Sequence, residues 1–287
     1  NAGTLYFEDT DAASGTNPIT VNGTATLGTW AARTIANNVT FAAGTTLTNI
    51  GGGTGTWTGT LTLSGDTNVN TAAGSIVIDG SLAGSGNLVR AGGNTLFLQN
   101  GSASYSGKIV NNAGTLRVEG NSALGTATGA DVLTMANNST LQFGTVTAAA
   151  SGTIGSATQG ITQTLGATYD ATTGNTLTID GAITGTGTLT KASNSGHVIF
   201  NRSVTTTSNT SGNSGTQTFN GNVSLGGAFE VGTNIISNLN SPVFACTAMN
   251  FWTGTTNIAI GTGTITNLNV GNATGQSHIL NPTAGAL

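Results

Sequence analysis

Ten carboxylates, two histidines and one cysteine are the groups from which a metal site or a carboxylate, histidine or thiol mechanism could be built in these 287 residues. Asp79 and Asp180 stand out because each sits in the same local string, Ile78-Asp79-Gly80 and Ile179-Asp180-Gly181. Two carboxylates that cleave a glycosidic bond must lie within roughly 5 to 10 Å of each other. Equivalent positions of a stacked repeat, several coils apart at about 4.8 Å per coil, do not meet that condition. Both therefore read as turn residues, a role Asp fills by hydrogen-bonding to its own backbone. His197 and His278 have no cysteine or acidic pair at ligand spacing, so neither a metal centre nor a Ser-His-Asp set is expected. Cys246, within Val243-Phe244-Ala245-Cys246, has no internal disulfide partner and reads as a small buried hydrophobe. Glu8, Asp9 and Asp11 form the densest acidic cluster but lack the Asp-x-Asp-x-Asp-Gly spacing of a calcium loop. Gly84-x-Gly86 and Gly185-x-Gly187 precede no helix start that could present N–H groups to a phosphate, so they are turns. Trp30, Trp57 and Trp252 are expected to anchor the core, with stacking on sugars as the reading for any that is exposed. The expectation is a protein with no catalytic residues, no cofactor and no metal, hence not an enzyme.

The elements that hold these residues are short. Ile76-Val77-Ile78, Leu82, Leu88-Val89 and Leu96-Phe97-Leu98 are apolar runs separated by Gly, Asn and Asp steps too brief for a helix. The pattern returns at 175–201, which places Gly185 and Gly187 on Gly84 and Gly86, and Lys191 on Arg90. Self-similarity of this kind marks a repeat architecture. Trp57 to Leu63 alternates as a single period-2 strand, while Ser203 to Gln217 has almost no apolar anchor and is expected to be an exposed loop. No window keeps a helical apolar stripe. The fold class is all-β: a single parallel β-helix, or β-solenoid, with short Gly/Asn/Thr-rich turns and coils of roughly 20 to 25 residues.

Composition agrees with an ordered, charge-poor chain. Only 6% of residues are charged, against about 25% in a typical soluble domain. A hydrophobic fraction of 37% and a net charge of −4 are unlike a disordered chain. Three prolines leave nearly every backbone N–H free for a ladder. Six Lys and Arg residues offer no basic patch, so nucleic acid is not an expected partner. Apolar runs of a few residues are far short of a transmembrane segment. The opening Asn1-Ala2-Gly3 has neither a basic nor an apolar leader stretch, which reads as a mature secreted form.

Residues 1–18 differ from the rest in joining the apolar strand Leu5-Tyr6-Phe7 to the acidic turn; residues 19–287 read as the solenoid. Leu5, Tyr6 and Phe7 either form a first rung or dock on the open end of another copy, supplying ladder partner and core side chains together. Solenoid ends leave unpaired edges that natural proteins cap, and no amphipathic cap is visible in this sequence.

Residues 82–125 resemble the autotransporter-associated β-strand repeat of bacterial passenger domains. The likeness rests on Leu82-x-Gly84-x-Gly86-x-Leu88-x-Arg90, Gly93-x-Thr95-Leu96-x-Leu98, Tyr105-Ser106-Gly107, Gly114-Thr115-Leu116-x-Val118 and Ala123-Leu124-Gly125. A partial second copy spans Leu177 to Phe200 without the Tyr-Ser-Gly step. The resemblance implies a right-handed parallel β-helix on a bacterial cell surface, serving as stalk or adhesin. No trailing run of alternating strands suggests an outer-membrane barrel, so the chain reads as a passenger or a free subunit. The expected function is structural: an extracellular subunit that self-associates end to end into a filament. The alternative is a monomeric adhesin for a surface or glycan ligand.

Overall fold

A computed structural model describes residues 3–8, 15–119, 123–144, 150–212, 214–252, 254–270 and 279–280. All regular structure among them is β-strand, and every strand pairing named below is parallel. The chain forms two compact units, Asn1–Thr140 and Leu141–Leu287.

In the first unit each coil lays one strand on each of three ladders. The first ladder stacks Ile19–Val21, Val39–Phe41, Leu61–Leu63, Leu82–Gly84 and Ser104–Tyr105. The second runs from Thr4–Phe7 through Thr26–Thr29, Thr46–Asn49, Thr67–Asn70 and Leu88–Ala91 to Ile109–Asn111 and Gly129–Ala136. The third stacks Arg33–Ile35, Thr54–Trp57, Ser75–Ile78, Thr95–Leu98 and Thr115–Val118. Register partners Ile19↔Val39, Val39↔Leu61 and Leu61↔Leu82 are offset by 20, 22 and 21 residues, the expected coil length.

The second unit repeats the plan. One ladder stacks Gln159–Thr164, Ile183–Gly185, Val204–Thr206 and Val223–Leu225, and a second stacks Ala167–Ala171, Thr188–Lys191, Ser208–Ser211 and Ala228–Val231. Both continue into Val243–Phe251 and Thr262–Val270, nine-residue strands that serve two ladders each. The third ladder runs from Ser151–Ile154 through Thr176–Ile179, His197–Phe200, Gly215–Phe219, Ile235–Leu239 and Thr255–Ile258 to Ile279–Leu280.

Alternation decides which side chains enter. In Ser75–Ile78 the inward Ile76 and Ile78 are buried and the outward residues are partly wet, as a pleat of period 2 requires. Trp57 is wholly buried and meets Phe7 edge-on at 6.4 Å. In the second unit Tyr169, Phe200, Phe219, Phe229 and Phe244 form a chain of rings with centroid separations of 5.6, 4.8, 5.8 and 5.6 Å. Outside, charge is replaced by amide ladders: Asn220 Nδ2 donates to Asn201 Oδ1 at 2.9 Å, and Asn240 Nδ2 to Asn220 Oδ1 at 3.1 Å.

Two expectations are corrected. Trp57 to Leu63 is not one strand but two, Thr54–Trp57 and Leu61–Leu63, with a corner between them. Gly59 sits in that corner, where a Cβ would lie 2.1 Å from the Asn37 carbonyl oxygen of the coil before. Ser203 to Gln217 is not an exposed loop; it holds Val204–Thr206, Ser208–Ser211 and the start of Gly215–Phe219. Its inward positions are filled by Val204, Thr206, Asn209 and Gln217, all buried. A parallel ladder satisfies the backbone on both sides, so a coil can hold its place with few apolar side chains.

Candidate functional site

The residues with chemical potential sit at coil corners, and most are engaged in closing them. Arg90 points inward from Leu88–Ala91 and is wholly buried. Its Nη1 donates to Asn111 Oδ1 at 2.8 Å and its Nη2 to Thr71 Oγ1 at 2.8 Å, with a further bond from Nη2 to the Asn94 carbonyl. Burial pushes its guanidinium down to about 10, which leaves it cationic at neutral pH. Lys191, its counterpart in the second unit, is also wholly buried. Its ammonium donates to the carbonyls of Ala192 at 2.9 Å and Ser214 at 3.1 Å, and to that of Asn194. Burial lowers the Lys191 pKa, and the Asp170 carboxylate opposes the shift. The matched position of Arg90 and Lys191 is visible in the sequence; their inward direction is not, because a cation in a strand ordinarily reads as an outward residue. Each donates to carbonyl groups of the turn that follows its strand and so ties that turn down.

Tyr105 performs a related task in the first unit. Its hydroxyl donates to the Lys108 carbonyl at 2.7 Å and accepts from the Leu88 N–H at 3.1 Å. Burial raises its phenol above the usual range. The neighbouring Gly107 is required by close approach, since a Cβ there would lie 2.1 Å from the Gly86 carbonyl oxygen and 2.7 Å from the Tyr105 hydroxyl. The Tyr105-Ser106-Gly107 string is therefore a corner closure.

Asp79 and Asp180 lie in different units, each at the corner after a third-ladder strand. Their N–H groups donate to Trp57 O and Ile154 O of the coil before, both at 2.9 Å. The expected closure on their own backbone is not what the carboxylates do: Asp180 Oδ1 takes Arg202 Nε at 3.2 Å, and Asp79 Oδ1 lies 3.4 Å from Asn100 Nδ2. Both reach to the corner of the following coil. Among the described residues no three His, Cys, Asp or Glu side chains gather to hold a metal ion. Glu8 is described, and its carbonyl accepts from Arg33 Nε at 2.9 Å; Asp9, Asp11 and His278 lie outside the described residues. Cys246 is buried, and desolvation pushes its thiol up to about 11, away from the thiolate that reactivity needs.

His197 reaches across to a polar row on the third ladder of the second unit, the register partners Thr218, Asn238 and Asn257. Its Nε2 is 2.8 Å from Thr218 Oγ1, which accepts from Asn238 Nδ2 at 3.1 Å, while Asn238 Oδ1 accepts from Asn257 Nδ2 at 2.8 Å. Burial, followed by the charge of Lys191, holds the imidazole below its ordinary value. The folded state thus resists a proton that the unfolded chain takes up near pH 6.5. The stability this row contributes is present above the unfolded pKa and is lost as pH falls from there through the lower folded value. Urea midpoints at several pH values are expected to fall on acidification more for the natural protein than for His197→Gln, whose added slope would be absent.

Trp57 is the core anchor expected, whereas Trp30 and Trp252 are 48% and 57% exposed and are corrected to surface residues. Trp30 lies over the Gly51 turn, where an added Cβ would meet its indole at 2.8 Å. Trp252 Nε1 donates to Glu230 Oε2 at 3.0 Å.

Leu5, Tyr6 and Phe7 occupy the outermost described strand of the second ladder, in register with Leu27, Gly28 and Thr29. Phe7 is buried, Tyr6 is half-buried and Leu5 is 53% exposed. Leu5 stands on the row Leu27, Leu47, Val69, each buried, so it is a core side chain without a covering coil among the described residues. Beside it opens a groove of about 440 Å³ between Thr4, Leu5, Ile19, Val21 and Leu27. In the second unit Leu268 continues the buried row Phe229, Met249 on Thr262–Val270 and is 52% exposed. The register that identifies both leucines as core positions is not readable from short apolar runs alone.

Fold and corners together define a parallel β-solenoid. No family model, no curated protein and no solved structure matches the chain.

Proposed function

We propose that the chain is a non-enzymatic structural protein of a bacterial surface whose copies join end to end, the second-ladder edge at Thr262–Val270 of one copy meeting Thr4–Phe7 of the next. The observation that carries this reading is the pair of core-row leucines, Leu5 and Leu268, left half exposed on the outermost described strands of their ladders. Covering a leucine contributes about 1.5–3 kcal/mol, and the adjoining strand edges supply complementary N–H and C=O groups. The contact is heterologous, and such a contact propagates into a filament when its rotation does not close a ring. The surface location rests on the resemblance of residues 82–125; the scarcity of Lys and Arg, which denies trypsin-like proteases their sites, is compatible with it.

Sedimentation velocity tests the contact. The natural protein is expected to form species that grow with concentration, whereas Leu5→Glu and Leu268→Glu each stay small, because either charge would be buried unpaired in the joint. A small natural protein at every concentration would overturn the reading and favour the monomeric adhesin.

A further inference from the structure

Trp252 is exposed and yet fixed. Its N–H is held by Glu230 Oε2 at 3.0 Å, Glu230 Oε1 accepts from Asn250 Nδ2 at 2.7 Å, and Asn250 Oδ1 accepts from Asn269 Nδ2 at 2.7 Å. Glu230, Asn250 and Asn269 are register partners on successive coils, so they form one straight row on the outside of the second ladder. Phe229 and Val231 point inward on either side of Glu230, and Met249 and Phe251 on either side of Asn250, which fixes the row outward. The spacing of 20 and then 19 residues is the coil length, the one signal by which the sequence could have brought these residues together.

An indole left in water forgoes the burial that usually stabilises tryptophan. The bond to Glu230 ties down the polar edge of the ring. What results is an exposed aromatic surface bordered by oriented amides. Such a surface, apolar in body with a few placed polar groups, is how small-molecule sites combine affinity with orientation. A pyranose has the matching two-sided character: a C–H face that packs on an aromatic ring and a rim of hydroxyls that pair with amides and carboxylates. An anionic ligand would face the Glu230 charge, and a cationic one would compete for carboxylate oxygens that already accept two hydrogen bonds.

We propose that Trp252, Glu230, Asn250 and Asn269 form a binding surface for a neutral oligosaccharide, with a sugar ring on the indole and its hydroxyls on the amide row. The site faces outward on the side of the ladder; only Asn269 lies on the proposed joining strand, Thr262–Val270, while Trp252, Glu230 and Asn250 lie on earlier coils.

Tryptophan fluorescence of the purified protein, titrated with cellohexaose, xylohexaose and mannohexaose, is the test. A saturable change is expected with at least one of the three, at a Kd of about 1 mM, the scale of a single shallow contact. Trp252→Ala should weaken that binding about tenfold or more, Trp252→Phe less, and Glu230→Ala should weaken it by freeing the ring; Trp30→Ala should leave it intact. Circular dichroism checks that each variant keeps its strands. No saturable response to any of the three sugars, or a response unchanged in Trp252→Ala, would overturn the proposal.

Discussion

Replacing Arg90 by Ala is expected to lower the unfolding free energy by about 3–5 kcal/mol, one of the two largest single-residue effects in the molecule. The guanidinium is wholly buried with no carboxylate paired to it among the described residues, so its stability comes from the fork of bonds to Asn111 Oδ1, Thr71 Oγ1 and the Asn94 carbonyl. Alanine removes the donor from Asn111 Oδ1 and Thr71 Oγ1 in a site closed to water, while the Asn94 carbonyl keeps the Thr115 N–H at 3.4 Å. Lysine keeps the charge but has neither the reach nor the planar fork, so Arg90→Lys should fall between the two. The same logic applies to Lys191, whose ammonium gathers carbonyls from two successive coils. Scanning calorimetry should show the Arg90→Ala transition well below that of the natural protein. An unchanged transition would mean that the corner closes without the cation.

Gly86→Ala is the second large effect. Gly65, Gly86 and Gly107 stand in a column at intervals of 21 residues (86 − 65 and 107 − 86), and a Cβ on Gly86 would lie 2.1 Å from the Gly65 carbonyl oxygen. The obstacle is backbone, which no rotamer change can move aside. The coils must part at that corner, at a cost of at least about 2 kcal/mol. Gly93→Ala is the matched control. A Cβ there meets nothing within 4 Å, so alanine should be neutral or stabilise by about 0.4–1 kcal/mol through the unfolded chain. Equal melting temperatures for the two variants would contradict this account of the corners.

These two positions also show how far the sequence is legible. The strands around Ile76 and Ile78 are readable because alternation of apolar and polar side chains is a local property. The repeated glycines are readable as turns, but not their cause, which is the approach of a carbonyl some 21 residues away. Corners hide for a related reason. The chain turns between Trp57 and Leu61 without interrupting the alternation, so two strands look like one. Arg90 and Lys191 are misleading because their solvation depends on partners in neighbouring coils, Thr71 and Asn111 for one and Ser214 for the other, which a linear reading does not juxtapose. Trp252 misleads in the opposite sense, since its surface position depends on which way the corner after Phe251 sends the indole. The half-exposed state of Leu5 and Leu268 likewise follows from register, which no short apolar run specifies.

Negative-stain electron microscopy of the purified protein, alone and with a small share of Leu5→Glu added, tests the proposed joining most directly. A Leu5→Glu copy keeps its Thr262–Val270 edge and lacks only the Leu5 contact, so it can still use one of its two joining surfaces. The account predicts long fibres of uniform width for the natural protein and shorter fibres as the Leu5→Glu share rises. Isolated particles without the variant, or fibres whose length ignores it, would contradict joining through the second-ladder edges.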